Sequence, residues 1–146
     1  MNLQAEILTK LNKREELKSL LRRTNRVKKS ATISHKLAHL FTNEDLELAL
    51  EYAKQAVELS PTNPIYNDTY GWLLFKQQNY MSALEYLRVA QASDSKNPII
   101  NYHLAETLAA LHRIAEAKDL LQQVLAAETT KIKGQAQALY HKLEVL

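Results

Sequence analysis

The chain has 146 residues with two glycines, three prolines and no cysteine; 46% of its residues are apolar and 24% are charged. This length suits one domain, and so little glycine and proline excludes a linker-rich or disordered chain. Without cysteine there are no disulfides, thiolate metal sites or cysteine nucleophiles, while the net charge of +3 conceals ten Lys/Arg against Glu6, Glu15 and Glu16 in residues 1–40.

Residues 2–11 and 14–26 read as a first, degenerate helix pair. Leu3, Ile7, Leu8 and Leu11 form one apolar stripe, Asn12-Lys13 the turn, and Leu17, Leu20 and Leu21 the second stripe. In the second helix Arg14, Lys18, Arg22 and Arg26 recur every four residues, which lines four cations along one face. Such a stripe could meet phosphates, an anionic membrane or an acidic protein; the plain alternative is a solvated face. Residues 1–40 contain no Phe, Tyr or Trp, so base stacking, and with it nucleic acid, is not expected.

A second unit starts near Ala31, with Ile33, Leu37, Leu40 and Phe41 on one helix, Thr42-Asn43 turning, and Asp45 to Leu59 as its partner. Asn43-Glu44-Asp45 puts negative charge at that helix N-terminus, which suits the helix dipole. His35 and His39 lie four apart on one face, the spacing of two metal ligands. Lys36 follows His35, however, so the HExxH pattern is absent, no third ligand is fixed, and no metal or cofactor is expected.

The stretch Pro64–Asn97 is the best-formed unit. Asn63 before Pro64 supplies an N-cap followed by proline at the first helical position. The first helix should run to about Lys76, Gln78-Asn79 should turn, and the second helix should carry Ala83, Leu84, Leu87 and Ala90 on one face. Gly71 lies mid-helix, where glycine costs about 1 kcal/mol against alanine. Close approach of the paired helix would explain it. A fourth pair spans Pro98–Leu111 and Ile114–Ala127, and a last helix begins at Gly134-Gln135 with Ala136, Leu139, Tyr140, Leu143 and Leu146 apolar. Nine helices and no strands are expected.

A shift of 34 residues overlays the chain on itself. Ala49-Leu50-Glu51-Tyr52 returns as Ala83-Leu84-Glu85-Tyr86, Ala83 returns as Ala117, and Asn63-Pro64 returns as Asn97-Pro98. Leu37 to Ala49 is twelve residues, whereas Tyr70 to Ala83 and Leu104 to Ala117 are thirteen, which reads as a one-residue deletion in the turn. A fixed period in this range marks a stacked solenoid. The residues Tyr70-Gly71, Leu74, Tyr80, Ala83, Leu87 and Ala90 resemble the tetratricopeptide repeat, with Ser95 and Thr129 where closing prolines would stand. The resemblance implies an all-α, right-handed helix–turn–helix solenoid, one domain over 1–146 with units at about 1–29, 30–63, 64–97 and 98–131. A capping helix would follow at 132–146.

The resemblance also implies a non-catalytic protein–protein interaction module whose first helices line a concave groove for a partner peptide or helix. The positions one residue off the packing stripe are Asp68, Trp72, Phe75 and Lys76 in the third unit, Tyr102 and Glu106 in the fourth, and His35 and His39 in the second. Family members that clamp acidic chaperone peptides use lysine, asparagine and arginine where this chain has His35, His39, Thr69, Ile99 and His103, so that clamp is not expected. Self-association through the atypical terminal helices would make a homodimer. Asp68-Thr69-Tyr70-Gly71-Trp72 with Asn101-Tyr102-His103-Leu104-Ala105 is similar to the C-terminal repeats of long bacterial envelope-associated tetratricopeptide proteins. The charged start MNLQAEILTKLNKREE does not read as a signal peptide, and no apolar run approaches the roughly 18 residues of a membrane span. The expected address is cytoplasmic for a full-length chain and periplasmic or envelope-associated for a piece of a longer exported protein.

Overall fold

In a computed structural model, residues 3–128 and 131–146 are described. Among them every regular element is a helix: α1 (Leu3–Lys10), α2 (Arg14–Val27), α3 (Ala31–Phe41), α4 (Leu46–Leu59), α5 (Pro64–Lys76), α6 (Tyr80–Ser93), α7 (Pro98–Ala110), α8 (Ile114–Ala126) and α9 (Lys133–Glu144). They group into two compact units, Met1–Pro61 and Thr62–Leu146. Thr129 and the expected helix start at residue 2 lie outside the described residues.

In the second unit α5 pairs with α6, α7 with α8, and α9 packs on α8. Both pairs open the same way. The Asn63 side chain accepts hydrogen bonds from the Ile65 and Tyr66 amides, and Asn97 accepts from those of Ile99 and Ile100. Pro64 and Pro98 occupy first-turn positions that need no backbone donor. Gly71 does face its partner helix: a Cβ there would lie 2.7 Å from Leu87 Cγ and 3.2 Å from the Ala83 carbonyl oxygen. Ala83, Leu87 and Ala90 on α6 are fully buried, and so are Ala117, Leu121 and Val124 on α8. Small residues let the helices approach, and the leucines fill the space between them.

The turns close by a shared device. Gln78 and His112 adopt left-handed backbone (φ 66° and 59°), and the Asn79 and Arg113 amides reach back to the Leu74 and Leu108 carbonyls. That is the Schellman arrangement, and Asn12 repeats it in the first unit with φ 53°. The α3–α4 connection does not. Glu44 and Asp45 both donate to the Phe41 carbonyl, and Asp45 caps α4 at the Leu48 amide. Asp45 thus stands where Asn79 and Arg113 do, with no left-handed residue before it, so the missing residue is the one that Gln78 and His112 supply, in the turn as the sequence reading has it.

In the first unit α2 lies between α1 and α3, and α3 pairs with α4. Here α1 buries Ala5 and Leu8, but Leu3, Ile7 and Leu11, expected on the packing stripe, are exposed. Helix α1 is only two turns long and packs mainly on α2, with Lys36 of α3 reaching its Thr9, so one narrow face suffices. At the other end Leu146 lies past α9 and is exposed too, while Ala136 and Leu143 carry that helix onto the core.

One register of the first helices is polar and buried: Ser34, Asn67 and Asn101. Each has partners. Ser34 Oγ donates to Gln55 Oε1, the Asn67 amide to the Asn63 carbonyl, and the Asn101 amide to the Ser95 carbonyl while its oxygen accepts from Gln91. Buried polar groups must be satisfied, so these contacts fix helix-to-connection geometry. The return of Asn67 as Asn101 after 34 residues was the available signal for this position.

Candidate functional site: a ring ladder on α5 and α7 and a cationic face on α2

Asp68, Trp72 and Phe75 follow helical spacing on α5, and His103 stands on α7, the next first helix of the same unit. The Phe75 and Trp72 rings stack with centroids 4.8 Å apart and planes within 7°. Trp72 stacks in turn on His103 at 4.1 Å and 13°. His103 Nδ1 lies 2.8 Å from Asp68 Oδ1, and both side chains are only about one-seventh exposed. A three-ring ladder thus ends on a carboxylate. Trp72 and Phe75 are part-buried, Lys76 is exposed at the end of α5, and Tyr80 tilts against Phe75 at 5.3 Å.

Beside the ladder, Tyr102 is buried and its hydroxyl donates to Glu106 at 2.9 Å. Burial, then the Glu106 carboxylate, pushes that hydroxyl well above the usual phenol range. The Tyr102 ring is thus core packing, with only its hydroxyl end engaged by Glu106. His103 is the residue that sequence reasoning passed over. It is absent from the expected groove positions because its partner Asp68 is 35 positions away, a repeat period plus one, which sets the pair on neighbouring first helices.

In the first unit, His35 and His39 on α3 meet edge-on with centroids 4.5 Å apart and Nε2 atoms at 3.0 Å. Among the described residues no group of three His, Cys, Asp or Glu is arranged to hold a metal ion.

The basic positions of α2 have unequal surroundings. Lys18 is buried, and its ammonium donates to both Glu15 and Glu44. Arg14 donates to Glu44 and to the Leu40 carbonyl. Lys18 and Arg22 both stand over the Phe41 ring, at 5.0 and 5.9 Å, and Phe41 stacks on Tyr52 of α4. Arg26 is exposed. Hydrogen bonds to Glu15 and Glu44 raise Lys18 above the ordinary lysine value, and the Lys18 hydrogen bond holds Glu44 below the ordinary carboxylate value.

The sign for Glu44 follows from its lowered value. Its stabilisation is complete above about pH 4.5, the unperturbed carboxyl value, and is lost as the pH falls through the folded one. Glu44→Gln should therefore lower the urea midpoint at neutral pH, and the gap from wild type should close on acidification. A gap independent of pH would show that the Glu44 charge is not what holds α2.

A family model described as tetratricopeptide repeat matches residues 74–143. A crystal structure of MamA superposes with a TM-score of 0.83 at 15% identity, covering 100% of this chain and 86% of that one. A MamA fragment from Desulfovibrio magneticus RS-1 gives 0.84 at 17%, covering 97% and 80%.

The chain has the tetratricopeptide fold.

The first tetratricopeptide region of Spaghetti (RPAP3), bound to the HSP90 peptide SRMEEVD, superposes at 0.73 with 16% identity, covering 79% of this chain and 90% of that one. No curated protein sequence matches the chain. In tetratricopeptide terms α5 and α7 are first helices, so the ring ladder bridges two consecutive repeats. The cationic positions lie on α2, a second helix. No helix among the described residues is long and apolar enough to cross a membrane.

Proposed function

We propose that this chain is a non-catalytic protein-interaction module that holds a peptide or helix of a partner protein against the first-helix face of its second unit. The observation that carries this is the part-exposed Phe75–Trp72–His103 ladder ending on Asp68. Stacked rings held by a carboxylate lose little freedom on binding, and buried aromatics dominate interface energetics. Asp68 and His103 would orient a polar group of the partner, while Trp72 and Phe75 would take an apolar side chain, with Lys76 and Glu106 at the margin. In the first unit, His35 and His39 on α3 are that unit's own contact candidates.

The chemistry differs from a clamp for acidic peptides. The positions where such a clamp carries its polar and cationic side chains hold His35, His39, Thr69, Ile99 and His103, none of them lysine or arginine, so apolar and aromatic partner segments are favoured. The test is affinity capture at moderate salt, followed by calorimetry on the identified partner with wild type and Trp72→Ala/Phe75→Ala. A loss of about 30-fold or more is expected, corresponding to roughly 2 kcal/mol at a hot spot, with an unchanged helical signal. Equal binding by a folded double variant would refute the assignment.

A further inference from the structure

We propose that α2 carries a second docking site, for an extended acidic segment of a protein partner, built on Arg22, Arg23 and Arg26. It lies on a second helix of the first unit and is independent of the first-helix reading above. These arginines, with Lys18, Phe41 and Glu44, line an open pocket of about 490 Å³. The charge in it is unevenly spent. Lys18 is committed to Glu15 and Glu44, and Arg14 to Glu44. Among the described residues Arg22, Arg23 and Arg26 have no carboxylate partner, so three guanidinium groups face solvent around one recess.

The matching place in the second unit supplies the contrast. A hollow of about 390 Å³ on α6, α7 and α8 is lined by Arg88, Ala92, Leu108, Glu116 and Asp119. Leu17 and Ala83 share a register, so Arg22 corresponds to Arg88, Lys18 to Leu84 and Arg26 to Ala92. Arg88 is answered by Glu116 at 3.4 Å. The second unit thus neutralises this position from within. The first unit instead adds cations to it, and places a buried lysine where the other has an apolar residue. Burying an ammonium is costly even when it is paired, and apolar packing alone gives no reason for Lys18.

The recess already coordinates carboxylates, because Glu44 takes hydrogen bonds from both Arg14 and Lys18. Arg22 and Arg26 are one turn apart, about 6 Å along the axis. Alternate residues of an extended chain project to one side at about 6.5–7 Å. A segment with Asp or Glu at every second position would therefore place one carboxylate on each guanidinium, in the forked geometry that arginine favours. Arg23 covers the flank, and the Phe41 ring beneath Arg22 restrains that side chain before binding. The cations span little more than one turn, and Phe41 is buried beneath Lys18 and Arg22, so a polynucleotide finds no stacking platform here.

The test is fluorescence anisotropy on the full chain at moderate salt. The probes are a labelled peptide of alternating glutamate and alanine, its glutamine counterpart, and a thymidine oligonucleotide of equal length. Wild type should bind the glutamate peptide at least tenfold more tightly than either other probe. Arg22→Ala/Arg26→Ala should lose at least tenfold, and Trp72→Ala/Phe75→Ala should lose nothing. Both arginines are exposed, so circular dichroism should confirm an intact fold. Glutamate-peptide binding that is absent, or unchanged in the arginine variant, overturns the site. Oligonucleotide binding that equals or exceeds peptide binding and is lost in that variant overturns the peptide as its occupant.

Discussion

Leu87→Ala should lower the unfolding free energy by about 2–5 kcal/mol, the range for deleting a buried leucine side chain. Leu87 is fully buried on α6 and touches the backbone of α5 at Gly71. Its neighbours in the register, Ala83 and Ala90, have no length with which to refill the space. The surroundings can therefore collapse little, and the cost should fall in the upper part of that range. Urea unfolding followed by the helical signal measures it. A loss under about 1 kcal/mol would mean that the α5–α6 interface relaxes into the cavity.

Gly71→Ala should be destabilising in the wild-type chain although alanine is the better helix former. The new methyl would stand 2.7 Å from Leu87 Cγ, the branch point of the side chain rather than its free end, and 3.2 Å from the Ala83 carbonyl oxygen. Overpacking of this kind costs about 1–3 kcal/mol, which exceeds the gain of about 1 kcal/mol from helix propensity. In a Leu87→Ala background the principal clash is gone, and the same substitution should become neutral or stabilising. The four urea midpoints form a cycle whose coupling should reach about 2 kcal/mol. An equal cost in both backgrounds would assign the restriction to the Ala83 carbonyl and hence to the helix spacing itself.

These two residues also mark what could be read in advance. Gly71, Ala83, Leu87 and Ala90 were legible because packing in a repeat is periodic: a position that must be small or large in one unit must be so in the next. The Asn63-Pro64 and Asn97-Pro98 starts were legible because capping is local chemistry. The α1 stripe was misjudged because periodicity says which face is apolar, whereas the number of neighbours decides how much of it is covered. The basic spacing on α2 was likewise visible, but its electrostatics were not. Whether a cation is free depends on where Glu44 falls, and Glu44 is 26 residues from Lys18 and 30 from Arg14.

The amino-acid sequence by itself determined the helix pairs, their period, their caps and the tetratricopeptide architecture, since all of these rest on contacts within a unit or one period away. Only the tertiary structure decided which side chains act together. Asp68 and His103 become partners, and Trp72 joins Phe75 to His103, because consecutive first helices bring neighbouring repeats into contact. Lys18 is withdrawn from solvent and Arg22, Arg23 and Arg26 are left facing it, because charge pairing depends on distances of a few ångströms in space. Linear spacing along one helix carries no record of those distances.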